Sequence, residues 1–135
     1  MKFKAHYKRE GIHGWMLDSW DDANHLLGYQ KAEGPSFTIF TLEDGCYIQC
    51  AGGKKRLTVE ARIIIEDKYF KHYRFGKGGL INNNEIIECN CGPIKVDLTQ
   101  ILTMKDARIL IREFIENNKN LSKKYIATDI TETQK

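Results

Sequence analysis

The sequence predicts an α+β fold: a curved antiparallel sheet of about six or seven strands packed against two helices, near residues 19–32 and 103–118. Three observations predict it. Short runs rich in β-branched and aromatic residues recur between turn signals at Gly34-Pro35, Glu43-Asp44-Gly45, Gly52-Gly53, Gly76 to Gly79 and Asn82-Asn83-Asn84. Two other segments place apolar residues three and four apart behind a Ser or Thr that can cap a helix. Strands and helices do not alternate regularly, which argues against a parallel dinucleotide-binding sheet. At 135 residues the chain has the size of one domain, spanning 1–135.

The first strand is expected over Lys2 to Lys8. Phe3, Ala5 and Tyr7 alternate there with Lys2, Lys4, His6 and Lys8, the pattern of an edge strand half in water. Ile12 to Leu17 can pair with it across Glu10-Gly11. Ser19 is then the cap of the first helix, with Asp22 at the capping-box position. Trp20, Ala23, Leu26 and Leu27 continue at helical spacing, Gly28 weakens the helix, and Gly34-Pro35 stops it. Ser36 to Leu42, Cys46 to Ala51, Arg56 to Ile65 and Tyr69 to Phe75 read as an antiparallel meander. Glu85 to Cys91 and Ile94 to Leu98 add one or two strands. The second helix starts at Thr103, capped with Asp106, and buries Ala107, Leu110, Ile111, Phe114 and Ile115 on one side. Tyr125 to Ile130 forms a last short strand, and the polar tail 131–135 is expected to fray.

Composition excludes several classes. Hydrophobic residues are 41% and charged residues 29% of the chain, as in a folded globular domain. No unbroken run of large aliphatic residues exceeds three, as in Ile63-Ile64-Ile65, so no membrane-spanning helix is expected. Met1-Lys2-Phe3-Lys4 carries charge without a following apolar region, so a cytoplasmic location is expected, with all four cysteines reduced. The net charge is +3, but residues 54–77 hold eight Lys or Arg against three acids, leaving the remainder at −2.

No residue pattern supplies a catalytic or metal site. Cys46 and Cys50 lie four apart in an expected strand, which separates their Cα atoms by roughly 13 Å, too far to share an ion. Cys89 and Cys91 share a strand face with Ile87, and all four cysteines read as small buried hydrophobes. His6 and His72 alternate with Lys and Arg on strand faces expected to be exposed, and neither they nor His13 and His25 can be set beside a thiol. Asp18, Asp21 and Asp22 suit a helix start, and Glu43 and Asp44 suit a hairpin turn. No cofactor is implied. One alternative comes from the basic segment itself. Its cations interleave with Tyr69, Phe70, Tyr73 and Phe75, which suits a single-stranded nucleic-acid platform. Alternation must turn some of those rings into the core, and no RNA- or DNA-binding motif accompanies them.

Taken in order, several segments resemble a known family. They are Asp18-Ser19-Trp20-Asp21-Asp22, then Phe37-Thr38-Ile39-Phe40, then Cys46 through Gly52-Gly53, and finally the capped helix from Thr103 through Phe114 to Asn117. The layout is similar to immunity proteins of bacterial polymorphic toxin and contact-dependent growth inhibition systems, of the type first catalogued among them. The resemblance covers about residues 15 to 130. It implies a cytoplasmic antitoxin that is not an enzyme. Such a protein binds a cognate toxin domain, of nuclease or deaminase type, and occludes its active site. For a basic toxin cleft the candidate contacts are Trp15, Asp18, Asp21, Asp22, Glu43 and Asp44, with Trp20 read as core. For an acidic toxin surface they are Lys71 and Arg74 in the basic segment.

Overall fold

The computed structural model describes residues 3–135, so the predicted strand start at Lys2 lies outside the described residues. Among these, the elements in chain order begin with β1 (Ala5–Arg9), β2 (Ile12–Leu17), α1 (Trp20–Leu27), β3 (Phe37–Thr41) and β4 (Tyr47–Gly52). They continue with β5 (Leu57–Glu66), β6 (Tyr69–Gly76), β7 (Asn84–Ile87), β8 (Ile94–Asp97), α2 (Met104–Glu116) and β9 (Ile126–Asp129). Seven strands form one curved, open antiparallel sheet in the order β2-β1-β3-β4-β5-β6-β9, and β7 pairs with β8 as a separate hairpin. The α+β fold expected from the sequence is therefore the observed one.

Register explains why the two sheet faces differ. Tyr7, Phe40, Ile48 and Ala61 are successive partners across β1, β3, β4 and β5. All four are buried, and the row continues beneath Ala107, Leu110, Ile111 and Phe114 of α2. Burying one large apolar side chain in this layer contributes about 1.5–3 kcal/mol. The row one residue over belongs to the opposite face: Gln49, Glu60, Arg74 and Thr128 are successive partners across β4, β5, β6 and β9. Neither α1 nor α2 covers that face, which explains the polar residues along it.

Several boundaries and placements differ from the sequence reading. The first helix ends at Leu27, not near residue 32. Beyond it, Gly28, Tyr29 and Gln30 each donate to the carbonyl three residues back, so the last turn tightens and unwinds. β1 is not an edge strand, because the chain returns after α1 to lay β3 against it, which leaves β2 at the edge. Trp20 is half-buried, against Phe3 on one side and the Arg112 guanidinium on the other. β7 ends at Ile87, so Cys89 and Cys91 fall in the following turn, not in a strand. They form a disulfide there, correcting the expectation of buried free thiols. Cys46 and Cys50 are free and buried. The tail residues Thr131–Gln134 form a 3-10 turn, and Thr131 is buried against β6.

α2 follows its capping signal. The Thr103 backbone N–H donates to Asp106 Oδ2 at 2.9 Å, and the Asp106 backbone N–H donates back to Thr103 Oγ1 at 3.4 Å. The Tyr125 hydroxyl donates to the other Asp106 oxygen at 2.8 Å, tying the segment before β9 to the start of α2.

Candidate protein-binding surface

The acidic candidates cluster at one end of the sheet. Trp15 and Met16 lie on edge strand β2, and Asp18, Asp21 and Asp22 follow at the turn into α1 and in its first turn. Gly14 fixes how the strand presents them. Its φ is +78°, and a Cβ there would sit 1.6 Å from the Tyr7 carbonyl oxygen, so no other residue fits in this bulge of β2, where His13 and Gly14 lie opposite Lys8. Trp15 pairs in register with Tyr7 and leans on its ring at 5.3 Å, yet stays 49% exposed. Met16 points to the opposite sheet face and is 53% exposed. Asp18, Asp21 and Asp22 are all exposed and enter no ion pair among the described residues. Ser19 Oγ accepts the Asp22 backbone N–H at 3.1 Å, so the helix is capped without engaging these carboxylates.

Glu43 and Asp44 are in the β3–β4 turn, as expected from the sequence, but Asp44 has internal partners. Its carboxylate is bonded to the Lys119 ammonium and accepts the Cys46 backbone N–H at 3.1 Å. The Lys119 bond holds the Asp44 carboxyl below the usual carboxylate range. This residue joins the turn to the chain after α2 and is not a free charge.

The basic candidates are also engaged inside the protein. Arg74 donates from Nε to Glu60 Oε2 at 2.9 Å and from Nη1 to the Lys95 carbonyl at 3.2 Å. Lys71 pairs with Asp129 at 3.5 Å, Arg56 with Glu85 at 3.3 Å, and Lys77 with Asp106 at 3.5 Å. Arg62 lies over the Phe70 ring at 4.0 Å and the Tyr47 ring at 5.4 Å. Lys54, Lys55 and Lys68 keep no ion-pair partner among the described residues. Of the ring set, Phe75 is core, while Tyr69 at the β5–β6 tip is 67% exposed.

His72 overturns its predicted surface placement. It is wholly buried on the open face of the sheet, under the stacked Arg62 and the Thr131–Gln134 turn. Arg62 Nε donates to Nδ1 at 3.0 Å, which assigns the ring proton to Nε2, and that nitrogen meets Glu60 Oε1 at 2.6 Å. The His72 backbone N–H donates to Thr131 Oγ1 at 3.0 Å. Burial alone would raise the Glu60 carboxyl, but the His72 bond and the Arg74 charge outweigh it and hold it low. Glu60, His72 and Arg74 are bonded to one another, and that pairing is a structural role.

Sequence reasoning missed Met16, whose exposure depends on β2 being the edge. It also missed the turn at Cys89-Asn90-Cys91-Gly92-Pro93. There the Asn, Gly and Pro were the available signal that a strand had already ended. Elsewhere a cleft of about 430 Å³ is lined by Lys31, Ala32, Gly53, Lys54 and Lys55. No group of three or more His, Cys, Asp or Glu among the described residues is placed to hold a metal ion. No helix among them is long and apolar enough to cross a membrane. Compared with known proteins, the chain matches no family model, no curated protein and no solved structure.

Proposed function

We propose that this chain is an immunity protein: a cytoplasmic binding protein, without catalytic activity, that neutralises a toxin domain by covering a basic cleft. One observation carries the reading. Trp15 and Met16 stand exposed on an edge strand beside three carboxylates that have no ion-pair partner among the described residues. An aromatic anchor flanked by unpaired acids suits a basic protein surface, because the ring supplies buried area and the charges steer encounter. The engagement of Lys71 and Arg74 within the protein favours this acidic surface over the basic segment as the contact. The resemblance to toxin-immunity proteins makes a nuclease- or deaminase-type toxin domain the partner, bound over its active site.

The test is co-expression with a candidate toxin domain from a neighbouring gene, scored for growth. The intact chain restores growth, and Trp15→Ala combined with Asp18→Asn, Asp21→Asn and Asp22→Asn does not, although the variant stays folded. Full rescue by the folded variant would exclude this surface, and no rescue by the intact chain would exclude the function. A second reading, single-stranded nucleic-acid binding, draws on exposed Tyr69 with Lys54, Lys55 and Lys68. It predicts RNA or DNA binding that weakens steeply with salt and disappears when those four residues become Ala.

A further inference from the structure

We propose that Cys89-Asn90-Cys91 is a redox-active centre whose co-substrate is a dithiol, independent of the toxin-binding surface. Two observations place it. The two cysteines are joined across a single residue in the turn after β7, with their Cα atoms 5.1 Å apart, and the turn is open to solvent at Cys91. A bridge closing so short a loop constrains almost no chain, so it adds little to stability. The second observation is the polar shell around the recessed sulfur. Cys89 Sγ lies 3.2 Å from Ser36 Oγ, and the Cys91 backbone N–H points at it from 3.3 Å.

Ser36 is itself held from two sides. Glu10 Oε1 accepts its backbone N–H at 2.6 Å and its hydroxyl at 2.7 Å, and the Asn90 backbone N–H donates to Ser36 Oγ at 3.1 Å. In the oxidised centre the hydroxyl proton faces Glu10. When Cys89 leaves as a thiolate, that proton can turn to the sulfur while Glu10 keeps the backbone N–H. Cys89 is thus the sulfur with donors waiting for negative charge, and Cys91 is the sulfur an external thiolate can reach.

The exchange balances as follows. One thiolate of the dithiol attacks Cys91 Sγ and forms a mixed disulfide. The Cys89–Cys91 bond breaks, and its electron pair leaves on Cys89. The second thiol of the dithiol, deprotonated to solvent, attacks its own mixed-disulfide sulfur and expels Cys91 as a thiolate. The dithiol is oxidised to a disulfide by two electrons, and Cys89 and Cys91 take up protons as they equilibrate with solvent. The turn stays held through the exchange by Asn90, which donates from Nδ2 to the Glu33 carbonyl at 2.7 Å.

The test is equilibration of the full native chain with mixtures of reduced and oxidised dithiothreitol, followed by rapid alkylation and mass mapping. Cys89 and Cys91 are expected to gain label together in one reversible step, while buried Cys46 and Cys50 stay unlabelled without denaturant. A bridge that opens only in denaturant, or thiols that remain free at every mixture, would overturn the proposal. Glutathione should be trapped at Cys91 with about fivefold preference over Cys89; equal trapping overturns the order of attack. Ser36→Ala should slow reduction about threefold and Ser36→Thr should restore it. An unchanged rate in Ser36→Ala would remove Ser36 from the mechanism.

Discussion

The stretch with the largest charge surplus and the stretch proposed to bind differ in how their charges are used. Residues 54–77 carry eight cations, yet Arg56, Lys71, Arg74 and Lys77 are ion-paired within the protein, and Arg62 is stacked between two rings. Residues 15–22 carry only three charges, and all three are exposed without an ion-pair partner among the described residues. Net charge along a sequence therefore does not show which charges are free to meet a partner. What matters is which charges the fold has already matched, since a paired charge presents little field to a partner.

Removing the acid at the centre of the matched region should have the largest effect. Glu60→Ala leaves buried His72 and Arg74 without their carboxylate, and stability measured by urea unfolding should fall by about 3–5 kcal/mol. The pH dependence has a defined sign. Because the folded Glu60 carboxyl titrates below its unfolded value of about 4.3, its contribution is complete above that value. It is lost as pH falls through the lower folded value, so Glu60→Gln should flatten the acid limb of the stability profile. An unchanged acid limb would mean the cluster is not stabilising.

Trp15→Ala comes next and probes the free region. It should weaken binding to the proposed toxin domain by about 2 kcal/mol, roughly 30-fold, with unfolding barely changed. A large stability loss instead would make Trp15 part of the core. Asp106→Ala should cost about 1–2 kcal/mol, since the carboxylate closes the α2 cap and accepts the Tyr125 hydroxyl. Replacing Asp18, Asp21 and Asp22 by Asn should slow association and reduce its salt dependence, with stability within about 0.5 kcal/mol. Replacing Lys54, Lys55 and Lys68 by Ala should be the mildest change, within about 0.5 kcal/mol of stability and without effect on toxin binding.

The sequence by itself determined the α+β class, the strand runs and both helix starts. These depend on period-two and period-3.6 patterns and on caps at Ser19 and Thr103, which are local properties. It also identified Asp18, Asp21 and Asp22 as a cluster, because neighbours in sequence at a helix start remain neighbours in space. Only the tertiary structure decided which strand is the edge, since β3 returns from beyond α1 to cover β1 and leaves Trp15 and Met16 exposed on β2. It alone buried His72, by bringing the chain end at Thr131 across β6, and it alone matched Arg74 to Glu60. Burial and charge pairing depend on contacts between residues far apart in the chain, and no local pattern encodes them.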